Sequence, residues 1–400
     1  MMNESLLEKY RFKEFPFPLS PAECLEEAKK VDLWADLSKV KKELENFFDM
    51  VLSLRPSISA LLYGWRGTGK TYSMMFFSKS SFFKEMMERK KLQITVISVN
   101  LDVRAPHPYK LFYQRMINFF STSFKENIKD SKNIIEKEVE RIVGSKDRIS
   151  QATALRRRFI EELSILTYDD RIKTRLAELF TNLLLQNEKG EEECRKILGL
   201  EEKELSEEDI PEITSVLFNF VASSKTLKNI FHCLDFKIIL WIDEWESIME
   251  IRAEDRWKIW DFLRHLLDYV PSDLVLLLNV TLKPDETERD IPNYFTHQLL
   301  DRIGRMIYFS SISKENALEY VSERLKYYSK EGTTFPFTEQ TLKKAVQIIN
   351  DIAIEKNTSI TPKTLNKVFS IFLQDAFYEG REKIDEEFIE KEREKIKPYI

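Results

Sequence analysis

The sequence predicts an α/β fold: a five-stranded parallel sheet with a long helical insertion and an all-helical region after the last strand. Short apolar runs alternate with amphipathic helical stretches, and strands separated by helices form parallel sheets covered on both faces. The stretch 121–229 is highly charged, with apolar residues at helical spacing and no convincing strand. From Ser313 onward the pattern is helical only.

Individual elements follow from local patterns. The runs predicted as strands, short and rich in β-branched or aliphatic residues, are 58–63, 92–100, 237–242, 274–280 and 306–309. The stretches predicted as helices outside the insertion are 37–54, 71–83, 108–120, 314–330, 338–355 and 362–378. Thr361 is expected to cap the last of these helices, with Pro362 in its first position.

The composition is that of a soluble globular protein. The chain has 400 residues, of which 43% are hydrophobic and 32% charged, and this length allows two or three domains. No apolar run approaches the ~20 residues that span a bilayer, and the acidic, proline-containing N-terminus does not resemble a signal peptide. We therefore expect a cytoplasmic protein without membrane contact.

Cysteine usage and net charge exclude further classes. Cys24, Cys194 and Cys233 are far apart and form no CxxC pair, so we expect buried thiols rather than disulfides or a zinc site. The net charge of −5 means that the chain as a whole does not attract nucleic acid. A chain with this net charge can still have a local basic face. Arg156, Arg157 and Arg158 are either such a contact or a solvated helix face.

Residues 64–71 read GWRGTGKT and match G-x-x-x-x-G-K-[ST] at every fixed position. A predicted strand precedes this run and a predicted helix follows it. The glycines are expected to turn main-chain N–H groups inward around phosphate oxygens at the helix N-terminus. Lys70 would reach the β- and γ-phosphates, and the Thr71 hydroxyl would bind Mg²⁺. The alternative is a chance match in a glycine turn.

The nucleotide-binding residues predicted around this motif form one continuous run. They are Gly64, Trp65, Arg66, Gly67, Thr68, Gly69, Lys70, Thr71 and Tyr72. Phosphate binding does not itself require the Trp65 and Arg66 side chains, and their roles stay open.

An acidic pair follows the third predicted strand. Asp243 is expected to bind Mg²⁺, directly or through water, and Glu244 to orient or deprotonate an attacking water. The alternative is an ordinary acidic strand end, and nearby Glu246 and Glu250 are expected to be solvated. Ligands of parallel sheets bind beyond the carboxyl ends of the strands, where we expect both the loop and this pair.

Asn279 lies at the end of the fourth predicted strand, one residue before its last position. Its amide is suited to hold the same water or the γ-phosphate, and Thr281 is the alternative residue for this role. A buried polar strand end without catalytic function is the simpler interpretation.

Together these motifs resemble the AAA+ ATPases, and within them the origin-recognition and replication-initiator clade with its relatives in mobile elements and defence systems. The resemblance covers 58–120 and 236–372 and is interrupted by the insertion. It rests on LLYGWRGTGKT, VISVNLD, IILWIDEWESI, LLLNVT, LLDRIGRMIYFSSIS and ITPKTLNKVF.

This resemblance implies further roles. The nucleotide would be ATP, Asn279 would take the sensor-one position, and Arg302 looks like the arginine finger that serves a neighbouring subunit, with Arg305 as the alternative. A guanidinium supplied in trans stabilises charge on the transferring phosphoryl group. Lys363 matches the sensor-two position, where the family usually has arginine; a lysine neutralises phosphate but forms no bidentate fork. A homo-oligomer is expected.

The resemblance also predicts the domain organisation. Residues 1–56 would form an extended segment and a helix, 57–312 the ATPase base with its insertion at 121–229, 313–379 the helical lid, and 380–400 a charged helical tail. The initiator clade generally carries a winged-helix domain after the lid, and 380–400 is too short for one. The insertion has no counterpart in the typical initiator, so the chain looks closer to the mobile-element and defence relatives.

Two functions stay open at this point. One is an ATP-driven switch or remodeller that assembles on nucleic acid in replication, transposition or defence. The other is a signalling-type ATPase that docks a partner protein through the insertion or the tail, without DNA. A small-molecule kinase is disfavoured, because no acceptor site is evident and the helical region after the fifth strand suits AAA+ better.

Overall fold

The described part of the chain covers most of the sequence. In this computed structural model it comprises residues 2–18, 20, 23, 26–27, 30, 33–34, 38–103 and 108–400. Cys24 and the predicted helix start at Leu37 lie outside the described residues.

Five strands form one parallel sheet. They are β1 Ile58–Trp65, β2 Ile94–Asp102, β3 Asp235–Asp243, β4 Leu274–Leu282 and β5 Arg305–Phe309. Their order is β2-β3-β4-β1-β5, so the predicted five-stranded parallel sheet is confirmed. The interiors of β1, β3 and β4 are buried, as strands covered on both faces must be. In the register, Trp241 of β3 lies opposite Leu277 of β4.

The rest of the described chain is mainly helical. The α-helices are α1 Met2–Lys9, α2 Ser38–Ser53, α3 Lys70–Phe77, α4 Ser80–Lys90, α5 Pro108–Asp130, α6 Lys132–Val143, α7 Arg148–Leu163, α8 Asp170–Leu184, α9 Glu188–Leu198, α10 Ile210–Ser223, α11 Lys225–Phe231, α12 Ala253–Tyr269, α13 His297–Leu300, α14 Lys314–Tyr328, α15 Glu339–Glu355, α16 Pro362–Tyr378, α17 Glu386–Lys391 and α18 Arg393–Ile396. Within 121–229 the structure contains helices and no strand.

Two predicted helices differ in extent from the observed ones. The stretch 71–83 is divided between α3 and α4, because α3 ends at Phe77 and Ser78 caps it, in a serine-rich run that favours caps and turns over helix interiors. Helix α5 continues past the predicted end at 120 to Asp130. At α16 the prediction is confirmed: the Thr361 side chain accepts a hydrogen bond from the Thr364 backbone N–H, and Pro362 occupies the first turn.

The chain divides into two compact units, one of residues 1–46, 63–79 and 307–400 and one of 47–62 and 80–306. In the first, Arg324 of α14 is 3% exposed and joins the N-terminal segment through the Pro16 carbonyl (2.7 Å) and Glu27 (2.5 Å). In the second, Phe180 of α8 packs against Phe124 and Phe220. The domain boundaries proposed from the sequence stay a prediction.

Candidate functional site

The glycine-rich loop joins the end of β1 to the start of α3. Gly69, the N-cap residue of α3, has φ 100°, and no side chain caps the helix start. The N–H groups of a first helical turn have no partner within the helix, which suits an anion. Lys70 is 5% exposed, and its ammonium donates to the carbonyl oxygens of Gly64 (2.8 Å) and Trp65 (2.9 Å). The glycine-rich loop therefore surrounds the buried ammonium group of Lys70.

Thr68 closes the turn from within. Its side chain is fully buried, and its hydroxyl donates to the Trp65 carbonyl at 2.9 Å. Trp65 itself is half-buried, whereas Arg66 is exposed. The Thr68 hydroxyl and the Lys70 ammonium thus stabilise the compact turn.

Gly64 has a role that its motif position alone does not reveal. It lies in β1, and a Cβ atom at this residue would come within 2.3 Å of the Phe309 carbonyl oxygen in β5. Real Cβ atoms do not approach backbone oxygen so closely, so glycine is required here for strand packing as well as for the loop.

Gly67 lets the first turn of α16 lie against the loop. Gly67 has φ +84°, and a Cβ atom there would lie 2.9 Å from the Lys363 Cβ and 3.1 Å from the Thr361 hydroxyl oxygen. The structure therefore brings Lys363, the predicted sensor-two residue, into contact with the glycine-rich loop. Both belong to the same compact unit.

Tyr72 follows the motif and contacts the N-terminal segment. Its hydroxyl donates to the Leu33 carbonyl at 2.6 Å, and its ring meets that of Trp34 edge-on at 6.0 Å. Trp34 also packs against Phe76 and Phe77 of α3. Thr71, between this cluster and Lys70, is half-buried.

In the other unit, Asp243 and Glu244 stand at the carboxyl end of β3. Asp243 is 7% exposed. Glu244 is half-buried and adopts a left-handed backbone, φ 53° and ψ 41°, at the start of the 3₁₀ helix Trp245–Glu250. A non-glycine residue in this conformation carries strain of order 1 kcal/mol or more, and other non-glycine residues of the described chain, among them His232 and Asn357, share it.

Asn279 connects Asp243 to a tryptophan. The Asn279 amide Nδ2 donates to Asp243 Oδ1 at 2.8 Å, and its Oδ1 accepts from the Trp241 indole N–H at 2.9 Å. All three side chains are buried. Trp241 was not among the site residues expected from the sequence, because a tryptophan in an apolar strand reads as core; the available signal was its position two residues before Asp243, on the same side of the strand.

The expectation for Glu246 is wrong. Its carboxylate is half-buried and accepts the backbone N–H of Thr281 at 2.8 Å, because the turn after Glu244 carries Glu246 back to the end of β4. Thr281, the alternative to Asn279, therefore uses its main chain in a structural contact. Glu250 is exposed, as expected.

Arg302 is held by an aspartate within its own unit. Its Nε and Nη2 contact the two carboxylate oxygens of Asp268 at 2.6 and 3.0 Å, and its Nη1 donates to the Gln298 carbonyl at 2.5 Å. Ser59 of β1 anchors the same loop: its hydroxyl donates to the Arg302 carbonyl and accepts the Gly304 N–H at 3.0 Å. Asp268 was not expected from the sequence, which shows no link between positions 34 residues apart.

Arg305 differs from Arg302 in its surroundings. It is exposed at the start of β5, and within the described residues its side chain makes no hydrogen bond or ion pair. Of the two arginines weighed as finger, Arg302 is engaged inside the chain and Arg305 extends into solvent.

The arginine cluster of the insertion has partners inside the chain. Arg156 pairs with Glu178, and Arg157 with Glu161 at 3.0 Å. Arg158 donates to the Ile142 carbonyl at 3.1 Å. These contacts favour the solvated helix face over a nucleic-acid contact.

The exposed apolar side chains of the insertion lie elsewhere. They include Ile149 (78% exposed), Ile165 (85%) and Tyr168 (97%).

Across the described residues, no helix has the length and apolarity required to cross a bilayer.

The chain is a P-loop α/β protein by its fold and its loop sequence: GWRGTGKT connects the first strand of a parallel sheet to the helix that follows it. No family model and no curated protein sequence matches the chain.

Solved structures do resemble it. The ORC2 protein of Aeropyrum pernix in its ADP form is 12% identical, with 96% of this chain and 73% of that one covered and a TM-score of 0.49. The ORC1 protein of the same organism in complex with DNA is 12% identical, with coverages of 93% and 68% and a TM-score of 0.46. The Thermotoga maritima RuvB Holliday junction branch migration motor is 11% identical, with coverages of 95% and 73% and a TM-score of 0.37.

Proposed function

We propose that this chain binds ATP with Mg²⁺ and hydrolyses it, acting as an AAA+-type switch or remodeller that assembles with further copies of itself. The phosphate-binding loop is the observation that carries the proposal. It combines a buried ammonium inside a glycine turn, a helix start without a side-chain cap and a second basic residue, Lys363, against Gly67. Each of these features favours a polyanionic ligand.

The loop residues have distinct roles in this proposal. Backbone N–H groups of 64–71 bind the β-phosphate, and Lys70 exchanges its carbonyl partners for phosphate oxygens. Charge-assisted hydrogen bonds to phosphate are shorter and stronger than those to neutral carbonyls. Lys363 adds a positive charge from α16, so the position of that helix depends on the nucleotide.

Thr71 and Asp243 are the residues that would hold Mg²⁺. The donor set fits the ion, since a carboxylate and a hydroxyl are the oxygen ligands that Mg²⁺ prefers, with water and phosphate completing its shell. Asp243 is nearly buried and held by an amide N–H, so its orientation is restricted before the ion binds. Bound Mg²⁺ supplies charge neutralisation on the phosphate oxygens.

Glu244 is the proposed general base. Its carboxylate would accept a proton from, or orient, the water that attacks the γ-phosphate. Its position directly after Asp243, half-buried at the carboxyl end of β3, supports the assignment, because ligands of parallel sheets bind beyond the carboxyl ends of the strands. Asn279, in the sensor-one position, acts beside it.

Turnover is proposed to depend on a neighbouring subunit. Arg302, with Arg305 as the alternative, would supply a guanidinium to the nucleotide of the next copy. The Asp268 ion pair of Arg302 must then open on assembly, whereas Arg305 requires no such release. This difference makes the two assignments separable by mutation.

For the biological role, we propose a nucleic-acid transaction in replication, transposition or defence. The alternative is a signalling-type ATPase that docks a partner protein through the insertion, without DNA. The exposed Ile165 and Tyr168 of the insertion are the residues to test for this alternative, since large apolar side chains in solvent mark protein-binding surfaces when they cluster.

One experiment separates the two. Steady-state ATP turnover is measured with and without duplex and single-stranded DNA across a salt series. DNA-stimulated turnover that falls steeply with salt, through counterion release, supports the nucleic-acid role. Turnover that ignores DNA but changes with a candidate partner, and loses that response in an Ile165→Ser/Tyr168→Ser variant, supports the alternative. A protein without any ATP turnover contradicts the enzyme assignment itself.

A further inference from the structure

The two buried hydrogen bonds of Asn279 share one donor-to-acceptor direction, from Trp241 through Asn279 to Asp243. An indole N–H is a donor only, and an ionised carboxylate is an acceptor only, whereas a carboxamide has one face of each kind. Asn279 lies between the Trp241 indole (2.9 Å) and the Asp243 carboxylate (2.8 Å). Only one of the two amide orientations satisfies both neighbours, and in it the NH₂ group faces Asp243.

Burial makes this preference strong. Trp241, Asn279 and Asp243 are 0%, 1% and 7% exposed, so water cannot readily replace a missing partner. A buried donor or acceptor that is left without a partner is destabilised by its lost hydration. Without the indole N–H, the Asn279 carbonyl oxygen would lose its donor, and the amide could turn that oxygen toward the carboxylate, which repels it.

We propose that Trp241 is a positioning residue for the metal site: its indole N–H fixes the Asn279 amide, which in turn holds the Asp243 carboxylate in the orientation that binds Mg²⁺. The inference rests on the proposed function, because it assigns Asp243 to the metal. It adds a residue that acts through another one rather than by touching nucleotide, and it gives Asn279 a task beyond contact with the γ-phosphate. Partners that orient metal ligands typically contribute 10–100-fold to metal affinity.

The experiment uses the full chain and metal binding rather than turnover. Mn²⁺ replaces Mg²⁺ and is titrated by electron paramagnetic resonance in the presence of ADP; ADP affinity in EDTA is measured separately. Trp241→Phe is expected to weaken Mn²⁺ binding about tenfold, with ADP affinity in EDTA unchanged. Trp260→Phe is the matched control, because Trp260 is also buried and donates its indole N–H, but to the Tyr294 carbonyl. Its Mn²⁺ affinity should equal that of the wild type.

A double-mutant cycle tests whether Trp241 acts through Asn279. If it does, Trp241→Phe adds no further loss of Mn²⁺ affinity in an Asn279→Leu background, since coupled residues are non-additive. Trp241→benzothienylalanine keeps the ring volume and removes only the donor, so it reports on the hydrogen bond even where the phenylalanine variant is unstable. It should show the same loss.

The outcomes are distinct. Wild-type Mn²⁺ affinity in the benzothienylalanine variant, or full additivity with Asn279→Leu, overturns the positioning role while leaving the proposed function intact. A wild-type chain that binds no ADP overturns the proposed function and this inference with it.

Discussion

The guanidinium of Arg302 donates to both carboxylate oxygens of Asp268, at 2.6 and 3.0 Å. The pair is about one-third exposed on each side, and exposed ion pairs contribute roughly 0.2–1 kcal/mol. Such a contact is weak enough to be exchanged for a phosphate of a neighbouring subunit. It therefore competes with the in-trans role proposed for Arg302.

Removing the aspartate should release the arginine. If Arg302 is the finger, Asp268→Asn raises the concentration-dependent part of ATP turnover, by up to about fivefold for an ion pair of this strength. The measurement is turnover per subunit across a protein dilution series. Unchanged or lower turnover in Asp268→Asn would show that the ion pair does not restrain a catalytic arginine.

The two candidate fingers are separated directly. The correct arginine→Ala variant should bind ATP normally and lose concentration-dependent turnover by about 10³-fold, while the other variant behaves like the wild type. Arg302→Ala and Arg305→Ala are assayed side by side. If both retain the concentration dependence of the wild type, neither residue serves a neighbouring subunit.

Gly67 should tolerate no side chain. Gly67→Ala places a Cβ within 2.9 Å of Lys363 and at φ +84°, so we expect displaced lid contacts and weaker ADP binding. Gly144→Ala is the control: it has φ +72° and no atom within 4 Å of the added Cβ. Both variants share a backbone cost of about 1 kcal/mol. ADP affinity should fall only in Gly67→Ala. Equal ADP affinities in the two variants would contradict the assignment of Lys363 to the nucleotide-binding site.

Glu244→Gln should separate binding from hydrolysis. The amide cannot accept a proton from water, so turnover is expected to fall about 100-fold or more while ATP binding is retained. Glu250→Gln is the control, since Glu250 ends the short helix that follows Glu244 and is exposed. Near-normal hydrolysis by Glu244→Gln would assign the water-activating role to another residue.

Cys194 should be unreactive in the folded protein. Burial raises the pKa of its thiol to about 11, from an ordinary value of 9.0. A raised pKa lowers the thiolate fraction, by about 100-fold at pH 8, and the thiolate is the species that reacts. Peptide-resolved alkylation at pH 8 should therefore label Cys194 far more slowly before unfolding than after. Equal rates in the two states would contradict its burial.

Much of the fold was predictable because the strands carry their own signal. β3 and β4 contain the apolar runs 238–242 and 274–278, which lead to Asp243 and Asn279. Short runs of this kind are typical of strands that are buried on both faces. The break between α3 and α4 was missed because Ser78 lies inside an otherwise amphipathic pattern. Local propensity is too weak to place such a break within one turn.

The candidate site was predictable at its motif positions and not at their partners. Lys70 stands out as part of the G-x-x-x-x-G-K-[ST] match. Asp243 and Asn279 stand out because polar residues near strand ends are conspicuous against apolar neighbours. The contact between Trp241 and Asn279 depends on the register of two strands, and that between Asp268 and Arg302 on how a helix packs beside a loop. Neither relation has a signature in a single sequence.

The central claim is that residues 64–71 bind the phosphates of ATP through Lys70. Equilibrium binding of labelled ATP to the full chain, with Mg²⁺, tests it most directly when Lys70→Ala is compared with Lys79→Ala, a lysine just beyond the end of α3. The account predicts saturable binding to the wild type and to Lys79→Ala, and a loss of about 100-fold or more in Lys70→Ala. Equal affinity in all three proteins, or no binding to the wild type, would contradict it.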